Sequence, residues 1–392
     1  MKSNYRYIVK AFMAMAVIAG TTSCDDFLDR EPMSSISPET YYSTAAQLEA
    51  NLNDEYPNVL PSFGQWTYGI FGEDKGTDNQ IEVNANDRYT QDRWKVPHSE
   101  SDNWKFERIY RINFFLSEAL PKFGEDMIGS QNTISGSVAT IKHYIGEMYF
   151  LRAYEYFKKL QLFGDFPIIN QPLADEMEAL REASKRFPRN EVARFIISDL
   201  DKAYAYMSDV DMATTRINKD AAMLVKSRVA LFEATWLQNF KGTAFVPGGE
   251  GWPGASLHNN YQYPSGNIDN EVKYFLEQAV EASKLVADKY KGSLTENTGV
   301  LQQSADDPSN PYFDMFAQED LSDVKEVLLW RQYARGLSTH NINAAAGRGN
   351  YRIGLTRGFV QNFLMKDGTP VYAHGSYADG DGYYMGDKTV AD

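Results

Sequence analysis

Residues 137–163, SVATIKHYIGEMYFLRAYEYFKKLQLF, carry apolar side chains on two helical faces at once. Ile141, Ile145, Met148 and Leu151 fall three or four positions apart and form one face; Tyr149, Ala153, Tyr156 and Leu160 form the other. A helix lying on a surface needs a single apolar stripe, so one with two must have neighbours on both sides. Gly146 and Ala153 leave room along it for a partner backbone to come close. The pattern stops at Phe163-Gly164-Asp165, with Pro167 preventing continuation. Any fold for this chain must therefore supply further helices to cover this one.

Those helices are legible. Thr44-Ala-Ala-Gln47 is a capping box, and Ala45, Leu48, Leu52 and Tyr56 follow on one face. An earlier helix start is read at Ser37-Pro38-Glu39. NWKFERIYRINFFLSEAL, residues 103–120, is helical in pattern. Val192, Phe195, Ile196, Leu200, Ala203 and Met207 make a stripe, and Ala222, Val225, Val229, Phe232 and Trp236 make the next. The second of these is flanked by the small residues Ala221, Ser227, Ala230 and Ala234. Val272, Phe275, Leu276, Ala279, Val286 and Tyr290 complete the set. Bulky positions alternating with small ones point to tetratricopeptide-like helix pairs. The expected class is mainly α, an α-α superhelix supporting a loop-rich irregular portion with a few short strands.

Two insertions interrupt the body expected over residues 37–290. Residues 60–103 lose periodicity and are rich in Gly, Asn, Asp and aromatics. Residues 242–269, GTAFVPGGEGWPGASLHNNYQYPSGNID, form a second loop, long enough that it should be functional or without fixed structure. Residues 291–392 read as loops and short strands, with VLLWRQY as a strand and Asp367-Gly368 as a turn.

The first 23 residues read as an export signal: Lys2, Arg6 and Lys10, then AFMAMAVIAG from Ala11 to Gly20, then Thr21, Thr22 and Ser23. That apolar run falls well short of the roughly 20 residues a membrane-spanning helix needs, and no later stretch approaches it. Cys24 is the single cysteine of the 392 residues. An exported chain with a lone thiol usually has a use for it. Its position resembles a bacterial lipobox, which makes Cys24 the expected lipidation site and residues 24–36 a tether.

Charge and motifs exclude much. The chain has 39 basic and 53 acidic side chains, a formal net charge of −14, and no basic stripe, so nucleic acid is not an expected partner. A single cysteine rules out thiolate zinc sites. The histidines at 98, 143, 258, 340 and 374 form no HExxH, and His143 with Glu147 reads as a surface hydrogen-bonded pair. Asp379, Asp381 and Asp387 in DGDGYYMGD read as a solvated turn rather than a Ca²⁺ loop. No GxSxG, GxGxxG or P-loop is present, and neither cofactor nor metal is expected. Glycoside hydrolysis needs only two carboxylates about 5–10 Å apart. Glu73, Asp74 and Asp78 in FGEDKGTDNQ are the best-placed candidates, and they read as solvated acids.

What remains is aromatic residues in loops. Trp66 and Tyr68 lie in SFGQWTYGIFG, Trp94 in QDRWKVP, and Trp252, Tyr261 and Tyr263 in the second insertion. Each can plug its own loop onto the body, or serve as a platform for the C–H face of a sugar ring. Burying about 100 Å² there would give roughly 2–3 kcal/mol per platform, so useful affinity needs several of them with polar neighbours. Asn79, Asn84, Asn86, Asn259 and Asn260 are close by in sequence. Trp104, Trp236 and Trp330 fall in regular patterns and read as core.

Several of these stretches together resemble the SusD/RagB-like outer-membrane nutrient-binding lipoproteins of Bacteroidetes. They are CDDFLDREP, GEMYFLRAYEYFKKLQLFGDFPII with its "LFGDxP" turn, ISDLDKAYAYM followed by NKDAAMLVKSRVALFEATW, and RGFVQNFLMKDGTPV. The resemblance implies four tetratricopeptide-like helix pairs and a lid over a SusC-like TonB-dependent transporter. It also implies a glycan, or in some members a peptide, held at the cell surface, and it makes Asp25 and Asp26 fit a surface-export signal. Family members are longer, so a further C-terminal portion is expected beyond Asp392. The expected protein is a lipid-anchored, non-catalytic outer-membrane lipoprotein. Trp66, Tyr68, Trp94, Trp252, Tyr261, Tyr263 and Asn79 are its candidate ligand contacts. The rivals are a surface glycoside hydrolase using Glu73 and Asp78, and a helical-repeat scaffold gripping a protein or peptide.

Overall fold

The computed structural model describes residues 41–64, 69–81, 103–124, 126–208, 212–300, 304, 306–334, 339, 354–365, 367–370 and 373. Cys24, the signal and tether, the start read at Ser37, the tail acids Asp379, Asp381 and Asp387, and Trp66, Tyr68 and Trp94 lie outside them. The elements in chain order are α1 (Ala45–Val59), β1 (Gln80–Ile81), α2 (Glu107–Phe123), α3 (Val138–Phe163) and α4 (Met177–Ala183). They continue with α5 (Arg189–Tyr206), α6 (Lys219–Asn239), α7 (Ile268–Tyr290), α8 (Pro311–Met315), β2 (Gly354–Leu355) and α9 (Arg357–Gln361).

The long helix α3 is the centre. It buries both faces, with Ile141, Ile145, Met148 and Leu151 on one and Tyr149, Ala153, Tyr156 and Leu160 on the other. α1, α2 and α5 all pack on it; α5 then packs on α6, and α6 on α7. This is the mainly helical superhelix of packed pairs that the patterning requires. The six long helices among the described residues amount to three pairs rather than four. The starts follow local chemistry. Thr44 accepts from the Gln47 backbone N–H while the Gln47 side chain returns to the Thr44 N–H. Ser137, Asn218 and Asn267 likewise cap α3, α6 and α7. α3 ends at Gly164, whose φ of +67° suits a residue without Cβ.

Two expectations are corrected. His143 and Glu147 are not at the surface: they are 1% and 0% exposed, with Nε2 3.1 Å from Oε1. Arg216 grips Glu147 from the loop before α6, at 3.0 and 2.7 Å, and Tyr56 of α1 donates to it at 2.6 Å. A carboxylate on the inward side of a two-faced helix needs such partners, because breaking a buried ion pair such as Glu147 with Arg216 costs on the order of 3–5 kcal/mol. VLLWRQY is not a strand. It crosses the body as irregular chain, held by Asn218 Nδ2 donating to the Leu328 carbonyl at 2.6 Å. Trp330 donates from its backbone and its indole to Thr214, at 3.1 and 2.8 Å. The second insertion, expected to be functional or without fixed structure, is ordered throughout, which leaves the functional alternative. The turn at Asp367-Gly368 is present, with Met365 N–H donating to the Thr369 carbonyl at 2.8 Å.

Glu271 at the start of α7 ties that helix to α5 and to the insertion. Arg194 donates to both its oxygens at 2.7 and 2.8 Å, Asn190 at 3.0 Å and the Ser265 backbone at 3.2 Å. Burial alone would raise its pKa, but the Arg194, Asn190 and Ser265 hydrogen bonds outweigh burial and hold it below the usual carboxylate value.

Two expectations follow from this packing. At Gly146, helix propensity alone favours Ala by about 1 kcal/mol. An added Cβ would stand 2.8 Å from the Met207 backbone N and 2.9 Å from the Ala203 carbonyl, both backbone atoms of α5 or its cap. Those cannot swing away, so Gly146→Ala is expected to lose about 1–3 kcal/mol in denaturant unfolding; a gain in stability would show that α3 and α5 are not so close. For Glu271, a folded pKa below the unfolded one means stability that is present above the ordinary carboxylate value of 4.5 and lost as pH falls through the folded value. Glu271→Gln is therefore expected to cost on the order of 2–3 kcal/mol at pH 7. Its deficit should shrink steadily below pH 4.5. A deficit independent of pH would remove the carboxylate's role.

Candidate functional site

The LFGD turn after α3 places Asp165 against the second insertion. Its Oδ1 accepts the Arg189 backbone N–H at the start of α5, at 2.9 Å, and its Oδ2 accepts the Trp252 indole N–H at 2.7 Å. Burial pushes the Asp165 carboxyl above the usual value, and the Trp252 and Arg189 hydrogen bonds pull the other way.

Around this contact the insertion packs as a small aromatic body. The Trp252 ring lies 6.0 Å from His258 and 5.6 Å from Tyr261, and Tyr261 lies 5.2 Å from Tyr263. Polar ends are tied off: Tyr261 donates to Asn190 Oδ1 at 3.1 Å, Tyr263 to the Pro247 carbonyl at 2.6 Å, and a His258 ring nitrogen lies 2.8 Å from the Arg186 carbonyl. Pro253–Ser256 folds over the indole so closely that a Cβ on Gly254 would sit 2.2 Å from Trp252. The insertion is thus held by its own aromatics. Trp252 is 5% exposed, and Tyr261 and Tyr263 are half-buried. Trp252 is packed into the insertion and forms part of the wall of the cleft beside it.

That wall borders a cleft of about 640 Å³ between the LFGD turn, α6 and the insertion. Its apolar side is Leu162, Phe163, Trp236, Phe245 and Leu257; its polar side includes Gln161, Asp165, Arg186 and Arg189. Phe245 is 61% exposed, and its carbonyl accepts the Trp236 indole N–H at 3.0 Å. Arg189 lies over the Trp236 ring, 4.1 Å from its centroid, and Glu233 of α6 holds the guanidinium through bonds of 3.0, 3.1 and 2.9 Å. Burial raises the Glu233 carboxyl against the lowering effect of Arg189. A concave site with a fixed aromatic side and a few polar groups is the usual form of a small-molecule pocket.

Of the candidate contacts, the structure brings Trp252, Tyr261 and Tyr263 together. Asn79 is elsewhere, in the chain beside β1, where its carbonyl accepts the Thr356 N–H at 2.9 Å. Asn259 and Asn260 are exposed on the insertion, and Glu73, Asp74 and Asp78 are exposed in their loop. No group of three or more metal-ligating side chains occurs among the described residues. Sequence reasoning missed Phe245, Leu257, Arg186 and Arg189, and it assigned Trp236 wholly to the core. Trp236 does pack on the core, and its ring also faces the cleft. The LFGD motif was the one available signal, since it fixes where the turn meets the insertion.

Comparison with known proteins places this helical body. A SusD-like family profile, described as starch-binding associating with outer membrane, matches residues 26–231. SusD-like protein P25 of Formosa agariphila is 26% identical over 233 residues, covering 55% of this chain and 41% of that one. SusD-like protein P2 of the same organism is 25% identical over 253 residues, covering 62% and 46%. The chain spans less than half the length of these curated relatives. A solved SusD-like carbohydrate binding protein from Bacteroides fragilis superposes with a TM-score of 0.51 over 86% of this chain and 57% of that one, at 15% identity. The fold is shared, and the insertion that supplies Phe245 and Trp252 lies beyond the matched segment. With residues 26–231 of its 392 matched by the profile, the chain belongs to the SusD-like family.

Proposed function

We propose that this chain is a surface lipoprotein of the outer membrane, anchored through a lipidated Cys24, that captures oligosaccharide without catalysis and delivers it to a SusC-like TonB-dependent transporter. The observation that carries the reading is the cleft beside the LFGD turn, with its exposed Phe245 and half-buried Trp236 held in place by hydrogen bonds. The family's description and the carbohydrate-binding solved relative support a glycan as ligand. No helix among the described residues is long and apolar enough to cross a membrane, so a lipid at Cys24 would supply the attachment.

Sugar rings would lie with their C–H faces on Phe245 and Trp236, and Gln161 would read hydroxyls. Each platform covers about 100 Å² and contributes roughly 2–3 kcal/mol, so a single ring binds at millimolar strength or weaker. Trp66, Tyr68, Trp94 and Asn79 remain further proposed contacts for a longer chain, which would add platforms. Glu73, Asp74 and Asp78 in FGEDKGTDNQ are exposed, without the burial that tunes a catalytic carboxylate, which favours binding over turnover.

The test is affinity electrophoresis of the purified chain through a panel of polysaccharides, with release of reducing ends followed in parallel. Retardation by at least one polysaccharide without new ends is expected. Phe245→Ala, at an exposed position, should weaken it on the order of tenfold or more. New reducing ends would overturn the non-catalytic reading, and retardation unaltered in Phe245→Ala would move the site off this cleft.

A further inference from the structure

We propose that the cleft selects an acidic glycan, one carrying a carboxylate or a sulfate ester beside the stacked ring, and that Arg186 reads that group. This rests on the glycan-binding reading above and narrows its ligand class.

The charges around the cleft are turned in different directions. Both oxygens of Asp165 accept hydrogen bonds from the protein, one from Trp252 and one from the Arg189 backbone. Glu233 is 0% exposed and faces Arg189 Nε and Nη2. The acids are therefore occupied by donors of the fold. The bases are not used up in the same way. Arg189 keeps Nη1 on the Gly164 side, 3.4 Å from where a Cβ there would stand. Arg186 is exposed, lines the cleft, and lies over the Trp104 ring at 4.5 Å. Its side chain forms no ion pair among the described residues, although its charge reaches the Asp165 carboxyl across the cleft.

Arg186 shares this with Arg108, Arg228 and Arg331, and of these four it is the one that lines the cleft. Arg111, Arg152, Arg181, Arg189, Arg194 and Arg216 each pair with an Asp or Glu. A chain with 53 acidic and 39 basic side chains offers ample carboxylates for a seventh. Arg186 instead rests on an indole face, an arrangement that fixes the guanidinium plane and leaves its N–H edges directed to solvent. A guanidinium held in this way matches a planar carboxylate or a sulfate with two parallel hydrogen bonds, whereas a neutral hydroxyl takes one. The surrounding negative charge of the chain repels polyanions at long range, so a locally placed cation is what admits them.

The experiment compares matched pairs of probes on the purified full chain by titration calorimetry. Polygalacturonate is set against its carboxyl-reduced neutral form, and a sulfated galactan against its desulfated form, at low and moderate salt. One acidic member is expected to bind at least about tenfold more tightly than its neutral counterpart. Arg186→Gln should remove that advantage and Arg186→Lys restore part of it. The carboxylate and sulfate arms identify which anion is read. Neutral forms binding as tightly as acidic ones, with Phe245→Ala still weakening both, would overturn this inference and leave glycan capture standing. No binding to any probe, or binding indifferent to Phe245→Ala, would overturn the cleft reading itself and this inference with it. Circular dichroism of the exposed-site variants guards against misfolding as the cause.

Discussion

The Asp165 carboxylate stands where three separate parts of the chain meet. It ends the turn after α3, accepts the backbone N–H that opens α5, and holds the Trp252 indole of the insertion. Its position is set from below: α3 stops at Gly164 because the chain there takes a left-handed conformation that continues no helix. A buried carboxylate without donors would cost several kcal/mol, of order 2–7 for a polar group left unpaired. The two N–H groups remove most of that cost, and in doing so they fix the distance between the central helix and the loop. The cleft exists because that distance is fixed.

The same logic recurs around the insertion in ionic form. Glu233 and Glu271 are fully buried, and each is met by an arginine of α5. Such pairs are weak evidence for net stability, since desolvation can cancel their attraction. Their value here is geometric. Glu233 orients Arg189 so that its guanidinium lies on Trp236, and Trp236 in turn donates to the Phe245 carbonyl. Glu271 ties the end of the insertion to α5 through Arg194 and Asn190. Apolar replacements could fill the same volume, but they would not set the plane of a ring or the direction of an N–H.

How far the sequence told this in advance depends on the interaction concerned. Helices were legible because burial of a stripe repeats with the helical period, and α3 declared two neighbours through two stripes. Caps at Thr44, Ser137, Asn218 and Asn267 follow from side chains that compete locally for backbone N–H groups. The VLLWRQY segment misled because β-branched and aromatic residues suit any half-buried extended chain, and here the partner for its backbone is a loop and not a strand. The insertion could not be read because its order comes from contacts far apart in sequence, such as Trp252 with Asp165. A loop tryptophan looks the same whether its face is covered or open. His143 and Glu147 failed for a related reason: their spacing is that of a surface pair, and only the arrival of Arg216 and Tyr56 from other elements makes the inner face habitable for them.

That distinction bears on how a binding surface can be built from an irregular loop. Flexible aromatic side chains lose conformational freedom on meeting a sugar, which offsets much of the stacking energy each platform offers. In this fold the ordering has already happened during folding. Trp252, Tyr261 and Tyr263 pack on one another, and Phe245 and Leu257 stay exposed at the rim. The burial of Trp252 thus goes with an open cleft beside it. It also explains why the exposed groups there are few and of mixed kind. The buried acids beside the cleft are met by donors of the fold, and what faces the cleft is an aromatic wall with guanidinium groups beside it.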